Sequence, residues 1–278
     1  MSGSPSGNIE QEGYGMKEAA KHKIGVLDSG VGGLTVVRQL QTLLPGEDIV
    51  YFGDSANVPY GNKEKPEILR LMNKILDFME ANEVKAIAVA CNTLSTLYDA
   101  YAPLRRTPIF SIVAAGARRV LDLQLPEVGL VATDFTVKTG WYAKLIHEKD
   151  PSVRVYGAGN HMLATLLDTG RFDEVPENVK ANLSDLFLQG HPSHVILGCT
   201  HYPIVRDQFE AEAPEVSFID PALEMARDIR DYLAREDLLQ EKKEHTLEIF
   251  TSGDPAYYGT MCSRLGIQTP DSLSQKSL

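Results

Sequence analysis

Residues 23–46, KIGVLDSGVGGLTVVRQLQTLLPG, decide the fold. The run at 23–27 is short, apolar and strand-sized, and residues 34–44 carry apolar side chains at helical spacing before Pro45-Gly46 closes the pattern. Strand, glycine-rich turn and helix make one βα unit. Working outward, strand-sized apolar runs recur at 48–52, 86–90, 108–113, 128–132, 154–156, 194–197 and 215–219. Helical patterns fall between several of them, at 64–80, 136–148, 177–188 and 222–235. Such alternation predicts an α/β fold with mostly parallel sheets.

Composition narrows the function classes. At 278 residues the chain is long enough for one large α/β unit or two domains. Hydrophobic residues at 43% and charged residues at 23% fit an ordinary globular enzyme. The net charge of −11 argues against a nucleic-acid backbone as partner, which calls for a basic face, though not against a small anion. No apolar run is long enough to span a bilayer, so a cytoplasmic location and no membrane partner are expected. Residues 1–21 are rich in Ser, Gly and Glu without apolar periodicity and are expected to be a disordered extension.

The turn Asp28-Ser29-Gly30-Val31-Gly32-Gly33 follows a strand and opens a helix, which reads either as an anion-binding turn or as a tight βα turn. It is not a dinucleotide fingerprint, because Thr35 stands where the third glycine would fall, and no Walker lysine follows. Pro59-Tyr60-Gly61 is either an ordinary loop or the border of a pocket for a polar ligand.

Two junctions in separate halves look alike: Ala90-Cys91-Asn92-Thr93 and Gly198-Cys199-Thr200-His201. Each follows an apolar run and precedes helix-like sequence. At the carboxyl end of a strand a cysteine stands where open α/β sheets bind ligands, and unpaired helix N–H groups there favour thiolate. Two such thiols suit proton transfer at a carbon centre, one removing a proton from one face while the other delivers a proton to the opposite face. An unperturbed thiol titrates near pH ~8.5, so modest tuning populates either form, with Asp28, Asp168 and His201 as candidates to provide it. Cys262 has no polar partner nearby in sequence and is expected to be a packing residue. Cys199 and His201 alone do not make a tetrahedral set, so no metal site is expected.

Together these motifs resemble the glutamate racemases of the aspartate/glutamate racemase superfamily. The matching stretches are Gly25 to Gly33, Tyr51-Phe52-Gly53-Asp54, Pro59-Tyr60-Gly61, Ala90 to Thr93, Leu197 to Pro203 and Phe250 to Pro255. The resemblance implies two doubly wound α/β domains with the active site in the cleft between them: residues 22–115 plus 223–278, and 116–222. It implies a cofactor-independent racemase that interconverts L- and D-glutamate for peptidoglycan and cell-wall synthesis, and a homodimer. Cys91 and Cys199 would exchange protons with the α-carbon, assisted by Asp28, His201 and Asp168. Ser29, Pro59, Tyr60, Gly61, Asn92, Thr93, Thr136 and Thr200 would hold the substrate's ammonium and carboxylates. The chain departs from the family pattern at Leu94, at Ala114-Ala115-Gly116 and at Asn160-His161.

Two other readings stand beside this one. The same thiol chemistry would racemise aspartate or another acidic amino acid, since it acts at the α-carbon and does not measure side-chain length. A binding role, as inhibitor of a DNA topoisomerase, belongs to a different class and would survive loss of both thiols.

Overall fold

The computed structural model describes residues 19–240, 242 and 244–278. The expected extension therefore lies outside the described residues up to residue 18. In chain order the first half comprises β1 (Lys23–Asp28), α1 (Leu34–Leu43), β2 (Ile49–Gly53), α2 (Lys65–Ala81), β3 (Val84–Val89), α3 (Asn92–Ser95), α4 (Tyr98–Tyr101), β4 (Ile109–Ser111) and α5 (Ile112–Asp122). Next come β5 (Glu127–Ala132), α6 (Asp134–Thr139), α7 (Trp141–His147), β6 (Arg154–Gly159), α8 (Leu163–Asp168), α9 (Val175–Phe187), β7 (His194–Gly198), α10 (Arg206–Glu212) and β8 (Ser217–Ile219). The chain ends with α11 (Pro221–Arg235), β9 (Leu247–Thr251), α12 (Pro255–Leu265) and β10 (Ser272–Gln275).

The strands form two sheets, ordered β10-β9-β2-β1-β3-β4 and β6-β5-β7-β8. Every pairing between these strands is parallel. Burial explains their continuous apolar runs: β2 and β3 are buried at every residue, as strands covered on both faces must be. β1 lies central, its Asp28 in register with Gly53 of β2, so Asp28 stands at the carboxyl edge of the sheet.

The two sheets share one continuous core. Ile24 and Ala86 of the first and Val128 and Ile196 of the second belong to it, together with Ile112 of α5 and Ile229 of α11. α11 packs on both α1 and α5, and α5 packs on α7. The expected domain boundaries fall inside α5 and α11. No helix among the described residues is long and apolar enough to cross a membrane.

Local chemistry trims several sequence expectations. The strand expected over 108–113 stops at Ser111, whose side chain accepts the Ala114 N–H at 3.3 Å and so caps α5. The helix expected over 136–148 is two helices, separated at Gly140, which adopts a left-handed φ of 63°.

Candidate active site

The carboxyl ends of β1, β3, β5 and β7 converge on one cavity of about 470 Å³, of a size that suits a small ligand. At the end of β1, Asp28 is fully buried, and its carboxylate reaches across to the second sheet. Oδ1 accepts the Gly30 N–H at 2.9 Å and Oδ2 accepts the Thr200 hydroxyl at 3.0 Å. Burial raises this carboxyl to about 6, against the opposing pull of His201, the Gly30 N–H and Thr200. The glycines of the turn serve close approach. A Cβ on Gly32 would stand 2.4 Å from Thr200 Oγ1 and 2.7 Å from His201 Nδ1. Of the whole turn only Ser29 lines the cavity, which favours the tight-turn reading over an open anion nest.

At the end of β3, Cys91 occupies the N-cap of α3 and is 5% exposed. Its Sγ lies 3.4 Å from Ser29 Oγ. Burial first, then the Asp28 carboxylate, push this thiol up to about 12, more than hydrogen bonds from Ser29 and the Leu94 N–H offset. The sequence expectation that a helix start favours thiolate is thus outweighed here by desolvation.

Cys199, beyond β7, has a different neighbourhood. Its Sγ lies 3.7 Å from His201 Nδ1, and His201 Nε2 lies 2.8 Å from Asp168 Oδ1 at the end of α8. Burial alone would lower the proton affinity of His201. The Asp168 charge and hydrogen bond, followed by Cys199, raise it well above the usual imidazole value. A charged imidazole facing Cys199 is the outcome.

Cys91, Cys199, His201, Asp168, Ser29, Pro59, Tyr60, Gly61, Asn92, Thr93 and Thr200 all line the cavity. Two expected residues do not. Asp28 stands behind Ser29 and Thr200, acting on Cys91 by charge rather than by contact. Thr136 is fully buried behind Thr133, to whose Oγ1 its hydroxyl is bonded at 3.0 Å. Thr133 takes the cavity-facing place as N-cap of α6. The Tyr60 hydroxyl is already engaged, donating to Asp54 Oδ2 at 2.5 Å.

Sequence reasoning missed Thr133, Asp134, Asn160 and Thr165, which also line the cavity. Thr133-Asp134 had a signal: it is a third strand-end junction, after β5, with a capping side chain. Among the described residues no lysine or arginine lines the cavity, whose polar groups are neutral donors, the imidazoles of His161 and His201 and the carboxyl groups of Asp134 and Asp168.

Residues 24–229 match the family described as Asp/Glu/Hydantoin racemase. The chain belongs to this racemase family. It is 36% identical over 240 residues to the glutamate racemase of Thermoanaerobacter pseudethanolicus, covering 83% of this chain and 88% of that one. With the glutamate racemase of Neisseria meningitidis serogroup C it shares 34% over 263 residues, 92% of this chain and 96% of the relative. The fold is similar to the crystal structure of the Francisella tularensis glutamate racemase in complex with D-glutamate. That comparison has a TM-score of 0.85 and 32% identity, and covers 93% and 98% of the two chains.

Two positions expected to depart from the family motifs have local roles in the structure. Leu94 is fully buried in the core beneath Cys91. Asn160 Oδ1 accepts the Met162 and Leu163 N–H groups at 2.8 and 2.7 Å, fixing the start of the short helix that presents Asp168.

Proposed function

We propose that this protein is a glutamate racemase, interconverting L- and D-glutamate without a cofactor by proton transfer between two thiols and the α-carbon. One observation carries the reading: Cys91 and Cys199, from the strand ends of two different sheets, line a single cavity. The two thiols have unlike surroundings, as a donor and an acceptor require.

In one direction the Cys199 thiolate takes the α-proton, leaving the electron pair delocalised into the substrate carboxylate, and the Cys91 thiol delivers its proton to the opposite face. The inverted amino acid leaves, with Cys199 now protonated and Cys91 a thiolate. The reverse direction exchanges the roles. His201, held charged by Asp168, hydrogen-bonds the Cys199 thiolate. Cys91 starts as the neutral donor because burial and Asp28 disfavour its anion. The substrate's ammonium supplies the positive charge that lets it become one. Asn92, Thr93, Thr133 and Thr200 offer neutral hydrogen-bond groups to the two carboxylates.

Relatives carrying the glutamate racemase name at 34–36% identity favour glutamate over aspartate as substrate. A cytoplasmic homodimer supplying D-glutamate for peptidoglycan, built from units 22–115 plus 223–278 and 116–222, completes the reading. The test is incubation with L-glutamate in D₂O without added cofactor. Loss of optical activity with deuterium entering the α-carbon is the expected result. Inertness toward both glutamate enantiomers, or faster turnover of aspartate, overturns it.

A further inference from the structure

The racemase reading leaves Tyr142 and Gly116 without a part. Tyr142, on α7 of the second unit, is 1% exposed, and its hydroxyl donates to Asn92 Oδ1 at 2.8 Å. Asn92 opens α3 beside Cys91 and lines the cavity. Its Nδ2 is buried and finds no hydrogen-bond partner among the described residues. A buried amide donor left unpaired is costly, and this one belongs to a side chain that lines the cavity, where a ligand acceptor can meet it.

We infer that Tyr142 is a positioning residue, which holds the Asn92 amide with its NH₂ end directed to a carboxylate of the substrate. The inference rests on the racemase reading above. An asparagine amide has an acceptor end and a donor end, and rotation by half a turn exchanges them. Asn92 Oδ1 is the acceptor recorded for the Tyr142 hydroxyl. Turning the amide over would orphan that buried O–H and aim a carbonyl oxygen at the anionic substrate. The hydrogen bond therefore selects one orientation. It also joins the two halves of the molecule, since Asn92 follows β3 of the first sheet and Tyr142 lies between β5 and β6 of the second.

Gly116 makes room for the ring. It lies on α5, where a Cβ would stand 2.9 Å from Tyr142 Cε1, 3.2 Å from its hydroxyl and 3.1 Å from Pro221 Cγ. Glycine in a helix interior is unfavourable relative to alanine, so helix formation alone would not choose it here. Space for the tyrosine that orients Asn92 is the physical reason for glycine in the Ala114-Ala115-Gly116 stretch.

The experiment is steady-state kinetics of Tyr142→Phe with each glutamate enantiomer, beside its thermal midpoint. The hydrogen bond acts on ground state and transition state alike. KM should therefore rise roughly tenfold for both enantiomers while kcat stays within about threefold. The same split is expected for Gly116→Ala, which carries the test if the phenylalanine variant does not fold. Against an Asn92→Ala background, Tyr142→Phe should add nothing further to KM. Unchanged KM in a folded Tyr142→Phe, or an effect that adds in full to Asn92→Ala, overturns the inference alone. A wild-type protein inert to both enantiomers overturns the racemase reading and this inference together.

Discussion

His201 donates its Nε2 hydrogen to Asp168 across 2.8 Å, and both side chains are largely enclosed, at 5% and 18% exposure. The carboxylate stabilises the imidazolium against the desolvation that burial imposes, and the ring's other nitrogen faces Cys199. Asp168→Asn removes the charge and keeps the shape. Its kcat/KM profile should lose activity at lower pH on the alkaline side than the wild type does. The two enantiomers have equal free energy, so kcat/KM must fall equally in both directions, whereas kcat and KM separately need not. Stability follows the same proton. A histidine raised in the folded state contributes stability that is full below its unfolded value of 6.5 and is lost as pH rises through the folded value. The Asp168→Asn variant should accordingly be destabilised most below pH 6.5 and approach the wild type at alkaline pH, read by thermal midpoints across pH.

On the proposed mechanism, each thiol alone can remove a proton but cannot invert the centre. Cys91→Ser and Cys199→Ser should each lower racemisation by roughly 10²–10⁴-fold in both directions with the circular-dichroism spectrum retained. On the two-thiol reading, the remaining thiol serves one face of the α-carbon. Each variant should then exchange the α-proton of one enantiomer for deuterium without inversion, and the two variants should choose opposite enantiomers. Exchange of the same enantiomer by both would contradict the opposed arrangement.

The sequence exposed most of this architecture because parallel strands buried on both faces leave continuous apolar runs, as in β2 and β3. β9 and β10 were harder to see: β9 alternates buried and half-buried residues, and β10 is exposed at its ends. At the site, the cysteines were legible because each follows such a run directly. What the sequence hides is through-space: the hydroxyl of Tyr60 turned to Asp54, Thr133 shielding Thr136, and the reach of Tyr142 to Asn92 across 50 positions. A strand end gives a residue's place along the chain and not which neighbour lies in front of it.

Asp28 holds the first turn to Thr200 while its own charge is unfavourable. Its carboxyl is raised from 3.8 to about 6, so the stability it contributes is full below 3.8 and is lost as pH rises through about 6. Above that range Asp28→Asn should be more stable than the wild type, by up to about 3 kcal/mol, and below 3.8 the two should match. The amide still accepts the Gly30 N–H, and the Thr200 hydroxyl can turn to accept from it. With the charge beside Cys91 gone, that thiol should titrate lower than in the wild type, and the pH dependence of racemisation should move with it. Urea midpoints on either side of pH 6, beside kcat, give the comparison.

Gly32 tests how closely the first turn must meet His201. An added methyl would overlap Thr200 Oγ1 at 2.4 Å and His201 Nδ1 at 2.7 Å, so Thr200 and His201 must move away from the Asp28 carboxylate and from Cys199. Displacements of ångström scale at reacting groups cost about 10²-fold in rate, and overpacking costs about 1–3 kcal/mol in stability. Gly266→Ala is the control. Gly266 has a φ of 66° at the C-cap of α12, and nothing lies within 4 Å of its added Cβ. Left-handed strain there costs about 1–2 kcal/mol without touching the site. Gly32→Ala should therefore lose most of its kcat at a stability close to that of Gly266→Ala, whose kcat stays at the wild-type level. Equal kcat in the two variants would mean that the contact between the turn and His201 is a packing contact with no bearing on the chemistry.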